Sequence, residues 1–217
     1  FSIVARDPHS GRMGVAVQSH WFSVGSVVTW AEAGVGAVAT QAMVEVSYGP
    51  LGLSLMRGGT SAPETLKALL TTDEGRALRQ VAMVDAGGRG AAHTGKRCIA
   101  DAGHAIGEDF STQANMMGSR DVWPAMADAY RRAKGDLPRR MVAALEAGYA
   151  EGGFTGAMSG LAQWKIEQRA SSGLLSCSGA TFNFAAAGKT QEALDCLELD
   201  FEEHNPNMPY IGVQQKL

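Results

Sequence analysis

The first 115 residues form a series of short apolar stretches of strand length, separated by glycine and polar turn residues. Residues 1–6 and 13–19 flank the segment DPHSG at 7–11, whose residues favour a turn, so the two stretches are predicted to pair as a β-hairpin. The nearly continuous apolar run at 35–41 is typical of a strand covered on both faces. Further strands are predicted at 24–30, 79–85, 89–94 and 110–115.

Helical spacing of apolar residues replaces this pattern in other segments. Ser61 and Glu64 have the spacing of a capping box, and Asp136 followed by Pro138 is typical of a first helical turn. Helices are predicted at 48–57, 61–70, 120–134 and 137–149, then a strand at 157–168 and two helices joined at Gly188-Lys189 within 171–204. Because strands and helices occur in groups and not in strict alternation, the sequence predicts an α+β fold.

Composition and charge narrow the class of protein. The chain has 217 residues, 45% of them hydrophobic and 19% charged, and its net charge of −3 gives no support for a nucleic-acid partner. No stretch approaches the roughly 20 apolar residues of a membrane helix and no leader pattern opens the chain, so we expect a cytoplasmic protein with no membrane partner. The three cysteines are predicted to be reduced. Trp21, Phe22 and Trp123 fit either a homo-oligomer contact or core burial.

The absence of several known sequence motifs argues against the kinds of chemistry that depend on them. The chain has no G-x-S-x-G elbow, H-E-x-x-H helix, Walker loop or C-x-x-C pair, and its five histidines lack metal-ligand spacing, so neither a metal nor another cofactor is predicted. Small polar residues remain at the predicted strand ends. Such ends form a pocket where they converge, and Asn or Gln amides there stabilise an oxyanion; alternatively, each residue only caps a turn. The residues are Ser19, Gln41, Ser47, Tyr48, Thr94, Gln113 and Asn115.

Several short blocks in the first 150 residues occur in the same order as in one bacterial family. They are FSIVARD at 1–7, GVAV at 14–17, WAEAGVGAVATQA at 30–42, SYGP at 47–50, VD at 84–85, TG at 94–95, AGH at 102–104 and QANMM at 113–117. On these blocks the chain resembles the family called domain of unknown function 1028. The resemblance weakens after Gly152-Gly153.

The resemblance implies a fold like that of the N-terminal-nucleophile (Ntn) hydrolases, an αββα four-layer sandwich of two antiparallel sheets flanked by helices. In such enzymes the first residue of the mature chain is the nucleophile and its own α-amine is the general base. Family members usually begin Met-Thr-Phe-Ser, so the resemblance implies either a threonine directly before Phe1 or a member that has no such nucleophile. Ser2, Ser19 and Asn115 are the catalytic candidates in the sequence. The substrate-binding candidates are Gln41, Ser47, Tyr48, Thr94 and His104.

Two functions follow as hypotheses. The first is an Ntn-type amidohydrolase that cleaves the C–N bond of a small amide or amino-acid derivative. The second is a non-catalytic member of the fold that binds a small molecule or a protein. The division predicted for the chain is an Ntn-hydrolase-like domain at 1–168 and a helical tail at 169–217, in which Gly188, Ala193-Leu194 and Pro206 are spaced as in a single tetratricopeptide repeat.

Overall fold

Two antiparallel four-stranded sheets form the β-structure of the computed structural model, which describes residues 1–21, 23–172 and 178–202. The strands are β1 (Ser2–Arg6), β2 (Met13–Val17), β3 (Thr29–Glu32), β4 (Gly36–Ala42), β5 (Arg79–Asp85), β6 (Gly90–Thr94), β7 (Gly103–Gly107) and β8 (Phe110–Ala114). The first sheet has the order β2-β1-β8-β7 and the second has the order β3-β4-β5-β6. The predicted hairpin of β1 and β2 is confirmed, with Ser2 opposite Val17 and Arg6 opposite Met13.

Helices separate and follow the strand groups. They are α1 (Gly25–Val28), α2 (Tyr48–Arg57), α3 (Ala62–Thr72), α4 (Val122–Arg132), α5 (Leu137–Ser172), α6 (Ser178–Ala186) and α7 (Thr190–Glu202), with a short 3-10 helix at Arg76–Leu78. The capping box predicted at Ser61 forms as expected. Its hydroxyl accepts a hydrogen bond from the Glu64 N–H, and the Glu64 carboxylate accepts one from the Ser61 N–H.

Side chains alternate between the two faces of each sheet, so the buried residues form three cores. One core lies between the two sheets, and one lies between each sheet and its helices. Ile3 and Ala5 of β1 pack with α4 and α5, whereas Val4 packs against the second sheet. In β5, Met83 packs with α2 and α3, whereas Val84 faces the first sheet. Each sheet is thus covered by another sheet on one face and by helices on the other. The predicted α+β fold with two antiparallel sheets is confirmed.

Two sequence predictions of secondary structure are wrong. Residues 25–28 form α1, so only the end of the predicted strand at 24–30 is a strand, β3. The predicted strand at 157–168 is helical because α5 continues to Ser172. Glycines in α5 seat it against the loop after β8: a Cβ added at Gly118 would lie 2.8 Å from the Cα of Gly156. That close approach offsets the low helix propensity of glycine.

The C-terminal helices pack on the second half of α5. Ala162 of α5, Ala180 and Phe184 of α6, and Ala193 of α7 form one small core. The helix α5 runs through residue 168, and both the domain division and the repeat-like tail stay predictions; Pro206 lies outside the described residues.

The structure also bears on the predictions made for the cysteines, for the aromatic residues and for membrane-spanning helices. Cys98 is free but Cys196 is disulfide-bonded, so the prediction of three reduced cysteines is wrong for Cys196. Trp21 is 70% exposed and Trp123 packs against the core, whereas Phe22 lies outside the described residues. No helix in the described ranges is both long enough and apolar enough to cross a membrane.

Candidate functional site

A polar layer replaces the apolar packing at one end of the space between the sheets. It is built by alternation: Gln41 lies two positions after inward-facing Ala39 of β4, Gln80 lies two positions before inward-facing Ala82 of β5, and Gln113 lies on the inward face of β8. Gln80 and Gln113 are fully buried and Gln41 is nearly so. We call the following group the amide network: Ser2, Gln41, Gln80, Thr94, His104, Gln113 and Asn115.

Gln80 is the centre of the amide network. Its Nε2 donates to Thr94 Oγ1 at 2.9 Å and to two backbone carbonyl oxygens of the first sheet, Gly103 at 3.1 Å and Ala114 at 2.8 Å. Its Oε1 accepts from Gln41 Nε2 at 2.5 Å and from Asn115 Nδ2 at 3.0 Å. One side chain therefore joins both sheets and fixes the orientation of the Asn115 amide.

Two further hydrogen bonds extend the amide network to the sheet edges and to β1. Thr94 Oγ1 and His104 Nδ1 are 2.8 Å apart, which links β6 to β7. Gln113 Nε2 donates to Ser2 Oγ at 2.6 Å, and this hydroxyl is fully buried. Ser2 is therefore held by β8, while Thr94, His104 and Asn115 remain half-buried at the edge of the amide network.

The ladder of β1 continues to the first residue of the chain. Phe1 N donates to Gln18 O at 3.1 Å, and Gln18 N donates to Phe1 O at 3.0 Å. In the same register Ser2 lies opposite Val17 on β2 and opposite Gln113 on β8. One further residue before Phe1 would lie between Ser19 and Asn115. Because facing alternates along a strand, its side chain would point inward as Ser2 does.

Burial lowers the pKa of ionisable groups at this edge. The pKa of an amino group at the position of Phe1 N falls from 8.0 to about 5, because the charged form is desolvated there. Burial is also the main cause of the lowered pKa of His104, with a smaller contribution from the charge of His93. Burial at this edge therefore favours the neutral form of an amine or an imidazole, which is the form that accepts a proton.

Ser47 and Tyr48 lie away from the amide network. The Tyr48 hydroxyl donates to Asp73 Oδ2 at 3.1 Å, and Asp73 also pairs with Arg79 at 2.9 Å. Tyr48 is packed in the core between the second sheet and its helices, and the Ser47 hydroxyl donates to Glu45. The second sheet separates both residues from Gln41 and Gln80. Ser19, Gln41, Thr94, His104 and Asn115 are therefore brought to one edge, and Ser47 and Tyr48 are not.

Unusual backbone conformations follow two members of the amide network. Ala42, directly after Gln41, has φ 67°, and Met116, directly after Asn115, has φ 60°. Left-handed backbone costs a non-glycine residue about 1–3 kcal/mol and is concentrated at functional sites. Both conformations redirect the chain immediately after an amide that the network holds.

Gln80 was missed by sequence reasoning, which included Gln113 only as one of the polar residues at predicted strand ends. The signal for both is a glutamine within a buried strand of otherwise small or apolar residues, QVAMV in β5 and STQA in β8. A long amide at an inward position is expensive to bury unless it is fully hydrogen-bonded. As for metals, the described part of the chain holds no cluster of three or more His, Cys, Asp or Glu residues suited to binding one.

Comparison with known proteins identifies a family model and a solved structure to which this chain is similar. A family model described as a family of unknown function (DUF1028) matches residues 1–162. A crystal structure of a DUF1028 protein from Silicibacter pomeroyi is 32% identical, with a TM-score of 0.67, and the match covers 70% of this chain and 67% of that chain. No curated protein matches the chain. The matched segment includes the whole amide network and ends before α6 and α7.

Proposed function

The chain belongs to the family of unknown function DUF1028, and we propose that it is an N-terminal-nucleophile amidohydrolase that cleaves the C–N bond of a small amide. One observation carries the proposal. The register of β1, continued by two residues beyond Ser2, would bring the position before Phe1 between Ser19 and Asn115, with its side chain toward the amide network. A threonine at that position would have both its hydroxyl and its α-amine at the edge of a buried polar site.

The reaction needs only groups at this edge. The threonine Oγ attacks the amide carbon while the α-amine of the same residue accepts the hydroxyl proton. The carbonyl oxygen becomes an oxyanion, to which an Asn115 N–H donates a hydrogen bond. The amine leaving group departs with the proton from the α-ammonium, leaving an ester on the threonine. Water then attacks the ester with the same amine as base, which releases the acid and restores the hydroxyl.

The surroundings of Asn115 suit an oxyanion donor. One of its two Nδ2 hydrogens is used by Gln80 Oε1, and Gln80 is itself held by both sheets. A donor fixed before the substrate binds needs no reorganisation as charge develops, which is the source of its catalytic effect. The lowered pKa of an amine at this buried edge also supports its role as a base.

The layering of the fold is a further support. Two antiparallel sheets face each other and each is covered by helices on its other side, as in the sandwich of the Ntn hydrolases. Fold alone does not assign chemistry, so the proposal depends on the position before Phe1 and on Asn115.

The test is covalent labelling of the full native chain. Intact mass and N-terminal sequencing of the untagged protein should show a threonine directly before Phe1 with a free amine. A β-lactone probe should then acylate that threonine, as located by peptide mapping. Replacing it by serine should preserve labelling, and replacing it by alanine should abolish labelling.

The alternative outcomes are distinct. Labelling that persists in the alanine variant, or a native chain with a blocked amine, would overturn the proposal. A protein that binds small amides but neither hydrolyses them nor reacts with the lactone would favour the non-catalytic binding module. Gln163→Ala is the matched control, because Gln163 is an exposed amide on α5 away from the amide network.

A further inference from the structure

The strand β6 lies at the edge of the second sheet, and one side of its backbone is unpaired within the described ranges. The Gly95 N–H donates to Arg79 O at 2.9 Å, and this bond sets the phase of the hydrogen bonds between β5 and β6. In an antiparallel pair such bonds recur at every second residue, so the odd-numbered residues of β6 bond to β5. The N–H and C=O groups of Gly90 and Ala92 therefore point away from β5.

The edge formed by β6 lacks the usual protection. Unpaired strand edges bind other strands, and proteins commonly block them with a lysine, a proline, a bulge or a covering segment. The sequence of β6, GAAHT, contains neither lysine nor proline, and its register with β5 has no bulge. Such an edge accepts a further strand wherever there is space beside it.

A groove of about 640 Å³ provides this space, and we call it the β6 groove. Leu66 and Leu70 of α3 line one wall, and Ile106 of β7, which is 46% exposed, lines the other. A Cβ added at Gly90 would lie 3.1 Å from Ile106 Cγ2, so this wall begins directly beside the strand. The side chains of an added strand would alternate between the two apolar walls, one set toward α3 and the other toward Ile106.

The β6 groove is also positively charged. Lys67 and Arg76 line it, and none of its lining residues is a carboxylate. Lys67 is exposed and forms no salt bridge with any residue that the structure describes. Arg76 Nη1 donates to the backbone oxygen of Asp73 at 3.1 Å, which leaves its charge without a carboxylate partner. Because the whole chain has a net charge of −3, this local positive charge favours an anionic ligand over another copy of the protein's average surface.

The same charges argue against a second copy of this chain as the occupant. A two-fold axis at the edge would pair β6 with β6 of the other copy and bring the two grooves together. Lys67 and Arg76 of both copies would then lie at one interface, and the grooves supply no carboxylate to offset them. Like charges placed together in this way weaken an association.

We propose that the β6 groove binds an extended peptide segment of another protein, which adds to the second sheet as a strand beside β6. Its backbone would bond to Gly90 and Ala92, its apolar side chains would contact the two walls, and an Asp or Glu side chain would pair with Lys67 or Arg76. The inference does not depend on the proposed amidohydrolase function, because binding at the edge uses neither the threonine nor Asn115.

The experiment measures binding of a fluorescein-labelled peptide, Val-Glu-Val-Thr-Val-Glu, to the full chain by fluorescence anisotropy. This peptide should bind about tenfold more tightly than its lysine analogue, Val-Lys-Val-Thr-Val-Lys, and the preference should weaken with added salt. Two further copies carry N-methyl groups on either the odd or the even residues. Since alternate N–H groups of a strand point to opposite edges, only one of the two methylation patterns should abolish binding.

Variants of the chain test the two parts of the β6 groove separately. Combining Lys67→Gln with Arg76→Gln should weaken binding of the acidic peptide by about five- to tenfold and leave the lysine analogue no weaker. Lys134→Gln, an exposed lysine between α4 and α5, is the matched control and should change neither affinity. Ala92→Pro removes an N–H that β5 does not use, so the chain should fold and bind the acidic peptide about tenfold more weakly.

Several results would overturn the proposal. They are equal affinity for the acidic and lysine peptides, an equal effect of the two methylation patterns, or no detectable binding of the acidic peptide. A dimer in sedimentation experiments that dissociates in Ala92→Pro would assign the edge to a second copy instead. If Ala92→Pro does not fold, the methylated peptides still decide, because they leave the protein unchanged.

Discussion

The space between the two sheets has an apolar half and a polar half, built on the same strands. In the apolar half, valines of the first sheet face small alanines of the second, such as Val4 near Ala37, Ala39 and Ala82. In the polar half, three glutamines occupy the equivalent inward positions. Gln41 and Gln80 bond to each other and to backbone carbonyls of β8 across the gap, and Gln113 bonds to Ser2. Hydrophobic contact tolerates small adjustments, whereas a buried hydrogen-bond network specifies one geometry. The polar half therefore buries less apolar surface than the apolar half, but its amide groups are held in defined positions.

The largest expected effect comes from Gln80→Ala, which removes the centre of the amide network. Partners on both sheets lose their hydrogen bonds, including Gln41 Nε2 and the carbonyl oxygen of Ala114. Buried groups left unpaired cost about 1–3 kcal/mol each, so we expect a loss of about 4 kcal/mol in the free energy of unfolding. Urea denaturation measures it, and a loss below about 1 kcal/mol would show that the network does not join the two sheets.

The next effect concerns catalysis more than stability. Asn115→Ala removes the proposed oxyanion donor from a half-buried position at the edge of the amide network. Turnover of a hydrolysed amide should fall by about 10²- to 10³-fold, the usual loss for one such donor. Because Gln80 keeps its bonds to the first sheet, the loss of stability should be smaller than for Gln80→Ala. Unchanged turnover, measured against the Gln163→Ala control, would remove Asn115 from this role.

The apolar half supplies the matched contrast, Val84→Ala. Val84 is fully buried between the sheets, and the change removes two methyl groups and leaves a small void. At about 0.8 kcal/mol for each group plus a cavity cost, the free energy of unfolding should fall by about 2 kcal/mol. Turnover should change less than twofold in the folded protein. A loss of turnover comparable to that of Asn115→Ala would mean that the two halves do not act separately.

Sequence periodicity was sufficient for most of the strands and helices, whereas the two antiparallel sheets were expected only from the family resemblance. Residues 48–57 and 79–85 were predicted with the observed bounds, because apolar spacing and turn residues act locally. The strand β7 was not predicted, since GHAIG has no strong alternation. The extent of α5 was also missed, because its glycines are tolerated through contact with Gly118, a residue distant in sequence.

The candidate site could be predicted only for those strand-end residues whose side chains were assigned to the correct face of the sheet. Gln41 and Tyr48 are close in sequence, yet the chain turns after Ala42 and carries Tyr48 to the helix-covered face of the second sheet. Gln80 lies near the start of its strand, so the apolar residues that follow it are the only local sign of its burial. The hairpin of β5 with β6 is predictable from the turn residues between them, but the contact of Gln80 with β8 of the other sheet is not revealed by any local pattern.

The smallest expected effect is a pH dependence of the free energy of unfolding that distinguishes the two faces of the second sheet. On the helix-covered face, the hydrogen bond from Arg79 lowers the pKa of Asp73 below its usual 3.8, against the opposing effect of burial, and bonds from the Gly75 N–H and the Tyr48 hydroxyl lower it further. Because the folded pKa lies below the unfolded one, the ionised carboxylate stabilises the folded state above about pH 4. That contribution should be lost as pH falls through the folded pKa of Asp73.

Asp73→Asn should therefore lower the free energy of unfolding at pH 7, and its difference from the unsubstituted protein should shrink as the pH approaches 3. Urea denaturation at several pH values measures both curves. The neutral glutamine amides on the inward face have no proton to gain in this range, so Val84→Ala and Gln41→Ala should keep differences from the parent that depend less on pH. A constant difference for Asp73→Asn from pH 7 to pH 3 would contradict the lowered pKa of Asp73. It would mean that the charge on the Asp73 carboxylate does not stabilise the folded state through its pair with Arg79.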